Sequence, residues 1–258
     1  MKLTPADVEA LERSTLAALS PRILDEDDDW LIALDDGAIG RANSVTPLRL
    51  GMLPIEEKVG RAQARYLAEG LTPQFRLPEA PVFDPLRQAL AARGYAPGKP
   101  TSVQVVATRI ALERLRVHPG QVDAAPDPAW LSVFTDQGFD QADGASRARI
   151  WSHDQDAAFA SVRQGNEALA IGVASFSHGW AGIHGMRTRL AHRGRGLGRS
   201  VLAGLTQAAW SRGMDRLFLQ VEQDNPPAWA LYRAAGFEPA WTYWYWRPKA
   251  SGPSGKFG

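Results

Sequence analysis

The stretch Met186-Arg-Thr-Arg-Leu-Ala-His-Arg-Gly-Arg-Gly-Leu-Gly-Arg199 concentrates the residue types that hold anions. Glycines stand at Gly194, Gly196 and Gly198, with Arg193, Arg195 and Arg199 between and beside them. Glycines at a strand-to-helix turn let the backbone approach a ligand closely and point its N–H groups outward. The amino end of the following helix adds a partial positive charge, and arginine supplies paired donors that match phosphate oxygens. The acids are placed to agree. The 47 residues between Glu167 and Asp215 contain no carboxylate, yet include Arg187, Arg189, Arg193, Arg195, Arg199 and Arg212. The chemistry implied is backbone binding of a phosphate-bearing ligand. The spacing is neither the dinucleotide fingerprint G-x-G-x-x-G nor the P-loop G-x-x-x-x-G-K-[ST].

The elements around this turn must position it. A strand Trp180–Arg189 leads in, and a helix running to about Arg212 leads out, with Leu197, Val201, Leu202 and Leu205 on its buried side. Upstream, Ala157–Arg163 and Glu167–Ser177 form a meander with Trp180–Arg189, joined at Gly165-Asn166 and His178-Gly179. Downstream come a strand Arg216–Glu222, a short helix from Pro226 to Ala235 ended by Gly236, and an aromatic strand pair containing Trp241-Thr-Tyr-Trp-Tyr-Trp246. That aromatic run is expected to pack in the core or at a domain contact, the alternative being a wall for a second substrate.

The amino-terminal half alternates in the same manner. Thr4 caps a helix beginning at Pro5, and the acidic run Asp25–Asp29 is read as a solvated loop. Strands are expected at Trp30–Leu34, Ile39–Val45, Gln74–Leu77 and Thr101–Thr108. Helices are expected from about Pro54 to Gly70, with Ile55, Val59, Ala62 and Tyr66 on one stripe, and over Pro85–Arg93. A further helix is expected near Ala129–Phe139. This pattern is α/β. One echo joins the halves: Gly94-Tyr95 and Gly236-Phe237 each end a helix and open a β-rich stretch, 142 residues apart.

Composition bounds the rest. The chain has 258 residues, 45% hydrophobic and 22% charged, which fits two small globular domains. It contains no cysteine, so a disulfide, a thiolate metal site and a cysteine nucleophile are excluded together. Five scattered histidines without H-E-x-x-H spacing speak against a metal site, and a net charge of +1 against a nucleic-acid partner. The uncharged stretch Ala168–Met186 is rich in glycine and is read as two strands rather than a membrane span, so no membrane partner is expected. The amino terminus lacks the apolar core of a signal peptide, and the chain is read as cytoplasmic.

Arg193-Gly-Arg-Gly-Leu-Gly198 resembles the R/Q-x-x-G-x-G/A signature of the GNAT superfamily of N-acetyltransferases, and Asn225-Pro-Pro-Ala-Trp-Ala-Leu-Tyr-Arg-Ala-Ala-Gly-Phe237 resembles its N-x-x-A-x-x-L-Y-x-x-x-G-F motif. The likeness covers roughly residues 157–246. The amino-terminal half resembles a degenerate copy, with Leu90 where Tyr232 stands, as in tandem members such as mycothiol synthases. The resemblance implies an α/β (α+β) fold of two GNAT-like domains, each a mixed, mostly antiparallel sheet flanked by helices. The expected division is a silent domain at 1–110, a linker at 111–128, a catalytic domain at 129–250 and a tail at 251–258.

It further implies acetyl-CoA as donor and a small-molecule or peptide amine as acceptor, in a monomer or homodimer. The donor would be held by Met186, Arg187, Thr188, Arg193, Gly194, Arg195, Gly196, Leu197, Gly198, Arg199 and Asn225. Tyr232 would act as general acid, and Glu222 or His184 as general base. Where family members often carry proline before the turn, this chain has Leu190. The rival reading is an acyl-CoA-binding module without turnover.

Overall fold

The computed structural model describes residues 1–152 and 156–249; the expected tail at 251–258 lies outside the described residues. Helix α1 (Pro5–Leu19) opens with a reciprocal cap: Thr4 Oγ1 accepts from Asp7 N at 3.2 Å, and the Asp7 carboxylate accepts from Thr4 N at 2.9 Å. The acidic run is a loop only at Asp28 and Asp29, which make a turn. It forms most of β1 (Ile23–Asp27), an edge strand antiparallel to β2 (Trp30–Leu34). Asp25, Glu26 and Asp27 pair with Arg65, Arg13 and Arg61, so the charges are balanced on an edge that resists further strand pairing.

The expected strand Ile39–Val45 is also revised. Gly40–Ala42 is a tight 3-10 turn, and β3 (Val45–Pro47) occupies only the end of the segment. The turn follows from crowding, since a Cβ at Gly40 would lie 3.1 Å from the Tyr245 ring. There follow α2 (Ile55–Ala68), β4 (Phe75–Pro78), α3 (Asp84–Ala92) and the long β5 (Tyr95–Ala107). Residues 111–128, expected as a linker, carry the end of α4 (Thr108–Arg114), then β6 (Gln121–Asp123). Ala111 and Leu115 are buried against the carboxy-terminal core, and β6 pairs with the first strand of the meander, so the segment is part of that half's framework.

The helix expected at Ala129–Phe139 is shorter, α5 (Pro128–Ser132), followed by a 3-10 turn. A helix absent from the sequence reading, α6 (Gln141–Trp151), follows it, capped by Asp140, whose carboxylate accepts from Asp143 N at 2.7 Å. Then come β7 (Ala157–Gln164), β8 (Glu167–Ser177), β9 (Trp180–Thr188), α7 (Leu197–Ser211), β10 (Arg216–Glu222), α8 (Pro226–Ala234) and β11 (Glu238–Pro248). The expected aromatic strand pair is the single strand β11, interrupted by two register shifts.

All eleven strands of the described residues form one sheet, ordered β1-β2-β3-β4-β11-β5-β10-β9-β8-β7-β6. Each half donates its last strand to the other. β5, from the amino-terminal half, lies antiparallel to β10, and β11, from the carboxy-terminal half, lies antiparallel to β4; the two exchanged strands pair with each other. The Gly94 and Gly236 helix ends therefore occupy matching places, each with positive φ and each launching an exchanged strand. Val103 and Val105 of β5 are buried among Leu11, Trp180, Phe218, Tyr243 and Tyr245, side chains from both halves. Burial of each large apolar side chain is worth about 1.5–3 kcal/mol, so this seam is a shared core and not a surface contact. No helix among the described residues is long and apolar enough to cross a membrane.

Candidate active site

Strands β9 and β10 are parallel, yet they pair only through Ala181–Ile183 and Leu217–Leu219. Beyond that point β9 bulges. Val173 faces His184 and Ile171 faces Arg187, so Gly185 and Met186 together oppose the one residue Gly172, and Gly185 takes φ +59°. A bulge bends the strand that carries it. The diverging strands border a cavity of about 1010 Å³, walled by both halves.

One end of the cavity is the glycine turn. Gly196, at φ +77°, precedes α7, whose first turn has no side-chain cap and no acid. Arg199 N turns back to Gly196 O at 3.0 Å, whereas the amides of Leu197 and Gly198 precede the intrahelical ladder. Gly194 lines the same wall, as do Arg193 and Arg199; Arg199 Nη2 donates to Arg114 O at 2.8 Å, and its buried Nε has no partner among the described residues. Arg195 is the exception among the expected residues: its side chain is exposed and contacts His192 Nδ1 at 2.9 Å, outside the cavity lining. Met186, Arg187 and Thr188 border the cavity along β9. The Arg187 side chain is committed to Asp143 and lies 4.2 Å over the Phe139 ring, with burial and then Arg147 lowering its pKa.

The expected reactive residues share this cavity. Tyr232 on α8 is 7% exposed, with its ring edge-on to Phe237 at 5.9 Å. Its hydroxyl makes no hydrogen bond among the described residues, and burial pushes the phenol up to about 12. Glu222 ends β10, and its carbonyl accepts from Trp229 Nε1 at 3.1 Å, which fixes α8 against the strand. Asn225 Oδ1 accepts from Ala228 N at 3.3 Å and so caps α8. His184 is buried, stacked on Trp151 at 5.8 Å and 3.1 Å from Ser175 Oγ through Nε2. Burial first, then Arg41 and Arg147, depresses the imidazole to about 3, and it is therefore neutral near pH 7.

Sequence reasoning missed several wall residues. Asp143 and Arg147 come from α6, whose only large apolar residues are at its end, and the one local signal was the Asp140 cap. Arg41, Lys99, Gln220 and Arg247 come from a turn and from strands with no motif to mark them. The aromatic run packs in the core as expected, Trp244 and Trp246 against the amino-terminal cluster and Tyr243 and Tyr245 in the seam between the halves, where these two also line the cavity.

Residues 123–237 match the Acetyltransferase (GNAT) family. This carboxy-terminal segment is similar to the GNAT acetyltransferases. The chain is 25% identical over 238 residues to the uncharacterized N-acetyltransferase YobR of Bacillus subtilis, a match covering 90% of this chain and 95% of that one. It is 33% identical over 128 residues to a mycothiol acetyltransferase of Beutenbergia cavernae, covering 50% of this chain and 34% of the relative. Among solved structures, a GCN5-related N-acetyltransferase from Kribbella flavida superposes with a TM-score of 0.70 at 16% identity, covering 96% of each chain. A tandem GNAT protein from the clavulanic acid biosynthesis pathway gives 0.56 at 16% identity, covering 97% of this chain and 98% of its own. The fold is accordingly a tandem GNAT fold.

The amino-terminal GNAT-like half has the same two features and fills both from within. Its parallel pair is Val45 with Phe75, and the next residues on each strand, Thr46 and Arg76, close the divergence by a 3.0 Å hydrogen bond. Arg76 is also ion-paired to buried Glu12 at 2.6 Å and lies 4.8 Å over Tyr243. At the start of α2, Asp28 accepts from Met52 N and Leu53 N, each at 2.8 Å, and from Lys58 Nζ at 2.9 Å. Those backbone donors, with the Lys58 ammonium, hold the Asp28 carboxyl down at about 2. A carboxylate of the chain thus occupies the place that corresponds to the open helix start of α7.

Proposed function

We propose that this acetyltransferase uses acetyl-CoA and transfers the acetyl group directly to a primary amine, with the carboxy-terminal half catalytic. The observation that carries this reading is the convergence on one cavity of an uncapped, glycine-lined helix start, a bulged strand edge and a phenol without a partner among the described residues. These residues fit a pyrophosphate: the helix start has donors and no acid, and Arg193 and Arg199 flank it.

Leu197 and Gly198 would bind the pyrophosphate through their backbone amides, and Arg193 and Arg199 through charge. Met186 stands in the bulge, outside the β8 ladder, where its N–H can polarise a thioester carbonyl as an oxyanion hole does. Glu222 is the better base. Asp143 is engaged by Arg147 and Arg187, whereas the Glu222 carboxylate makes no ion pair among the described residues, and His184 at about 3 holds a proton too weakly to take one from an ammonium. Glu222 would accept one proton of the incoming ammonium, the amine nitrogen would bond to the acetyl carbon as that carbon's bond to sulfur breaks, and Tyr232 would protonate the departing thiolate and be reprotonated by the second proton lost from the new amide nitrogen. With no cysteine in the chain, no thiol is present to carry the acetyl group.

The test is calorimetric binding of acetyl-CoA to the wild type and to Gly198→Trp. Gly198 lines the cavity, and its nearest neighbours would be 3.5 Å from an added Cβ, so bulk enters the site without backbone strain. Binding that is lost in the variant supports the donor site. Absence of binding to folded wild type refutes it, and binding without transfer to any amine leaves the rival acyl-CoA-binding module.

A further inference from the structure

Seven cationic side chains line the cavity against two carboxylates. Arg193 and Arg199 stand beside the glycine turn, and Arg147 and Arg187 share Asp143. Arg41, Lys99 and Arg247 remain, and none of them has an ion pair among the described residues. Arg41 is half-buried and makes no side-chain hydrogen bond there either. Its charge bears on His184, the residue at which β9 leaves β10, whereas the glycine turn lies beyond Thr188 at the strand's other end.

Arg41 and Arg247 are braced together. The Arg247 guanidinium lies 4.9 Å over the Tyr245 ring, and its Nε donates to Gln74 Oε1 at 2.8 Å. The same Gln74 donates through its amide to Asn43 O, and the same Tyr245 ring packs against Gly40, on either side of the turn that presents Arg41. Two guanidiniums held by shared supports, partly removed from water and without a counter-charge, are unfavourable until an anion arrives. An amine carrying only positive charge would be repelled by them. A zwitterion suits the cavity better, with its anion at the arginines and its ammonium toward Glu222.

Resting on the acetyltransferase reading above, we propose that the acceptor amine also bears an anionic group, a carboxylate or a phosphate, held by Arg41 and Arg247. The experiment measures thiol release from acetyl-CoA with matched amines: amino acids against their carboxamides, and phosphoethanolamine against ethanolamine. A charge-assisted pair of hydrogen bonds predicts that the anionic member of one series is preferred about ten- to hundredfold in kcat/KM. Which series shows the preference tells carboxylate from phosphate. Arg41→Gln and Arg247→Gln should each shrink that preference toward unity while leaving acetyl-CoA affinity unchanged.

Equal rates for neutral and anionic partners, or a preference that survives in both variants, would overturn the proposal. Should no amine of the panel be acetylated, thermal shifts of the CoA-saturated protein decide it. N-acetylated amino acids or N-acetylphosphoethanolamine must raise Tm above their uncharged counterparts in wild type and not in the arginine variants; equal shifts overturn it. Failure of the underlying reading looks different, since acetyl-CoA itself would then not bind.

Discussion

Replacing Tyr232 by phenylalanine separates chemistry from packing. The ring is buried edge-on to Phe237, and the hydroxyl has no hydrogen-bond partner among the described residues, so Tyr232→Phe removes one oxygen and orphans no donor or acceptor. The expected change in folding stability is below about 1 kcal/mol. If the phenol protonates the departing thiolate, kcat should fall by about 10²–10⁴, equivalent to about 3–5 kcal/mol of barrier. kcat and kcat/KM should fall together, because the interaction is made only in the transition state. The pH profile adds an independent constraint. Burial raises the Tyr232 pKa to about 12, so the phenol keeps its proton across the neutral and mildly alkaline range and should produce no falling limb there. The assay is steady-state thiol release with a saturating amine between about pH 6 and about pH 10, with acetyl-CoA binding measured alongside. A variant whose kcat stays within about threefold of wild type would remove Tyr232 from the mechanism, and so would a fall wholly explained by weaker acetyl-CoA binding.

Glu222→Gln should lower kcat/KM by about 10²-fold below the pKa of the amine and recover at high pH, where free amine needs no base; a uniform loss at every pH would refute the assignment. His184 gives a stability signature. Its folded pKa of about 3 lies below the ordinary 6.5, so the unfolded chain binds the extra proton, and stability is lost as pH falls from about 6.5 toward about 3. The ceiling of that loss is about 5 kcal/mol, and His184→Gln should flatten the acid side of a denaturation series; an unchanged slope would count against a buried neutral imidazole. Asp28→Ala should lower Tm by emptying the amide cradle at α2 and stranding buried Lys58, and inorganic phosphate should restore part of the loss. No response to phosphate would mean that the cradle is not an anion site once Asp28 is gone.

Local features were legible in the chain because local physics sets them. The glycine turn, the cap at Thr4, the stripe Ile55–Tyr66 and the meander strands are each determined within a few residues. Every expected site residue except Arg195 lines one cavity, since a motif records positions that the backbone of a turn and a short helix must hold. What escaped was set by distant partners. β5 and β11 read as strands, but nothing in either says that it will lie in the other half's sheet. α6 has too thin an apolar stripe to be seen, and its end is held by Trp151 under His184. Arg41 and Arg247 come together only because Gln74 and Tyr245 link a turn to a strand some two hundred residues later.

The strand exchange also governs how the molecule can be made. During synthesis the amino-terminal half emerges first, but its sheet needs β11 between β4 and β5, and β11 begins at residue 238, after every other strand. The nascent first half must therefore wait with one edge of β4 and both edges of β5 unpaired while the carboxy-terminal half is still being translated. Exposed strand edges are sites of misassociation, and pairing across such a sequence separation is slow. β5 in turn supplies the strand that flanks β10, so the two halves complete each other in one late step. An amino-terminal half joined in this way cannot be shed by simple truncation, because the cut would leave β10 without its neighbour β5. The amino-terminal half is thus part of one folding unit with the carboxy-terminal half.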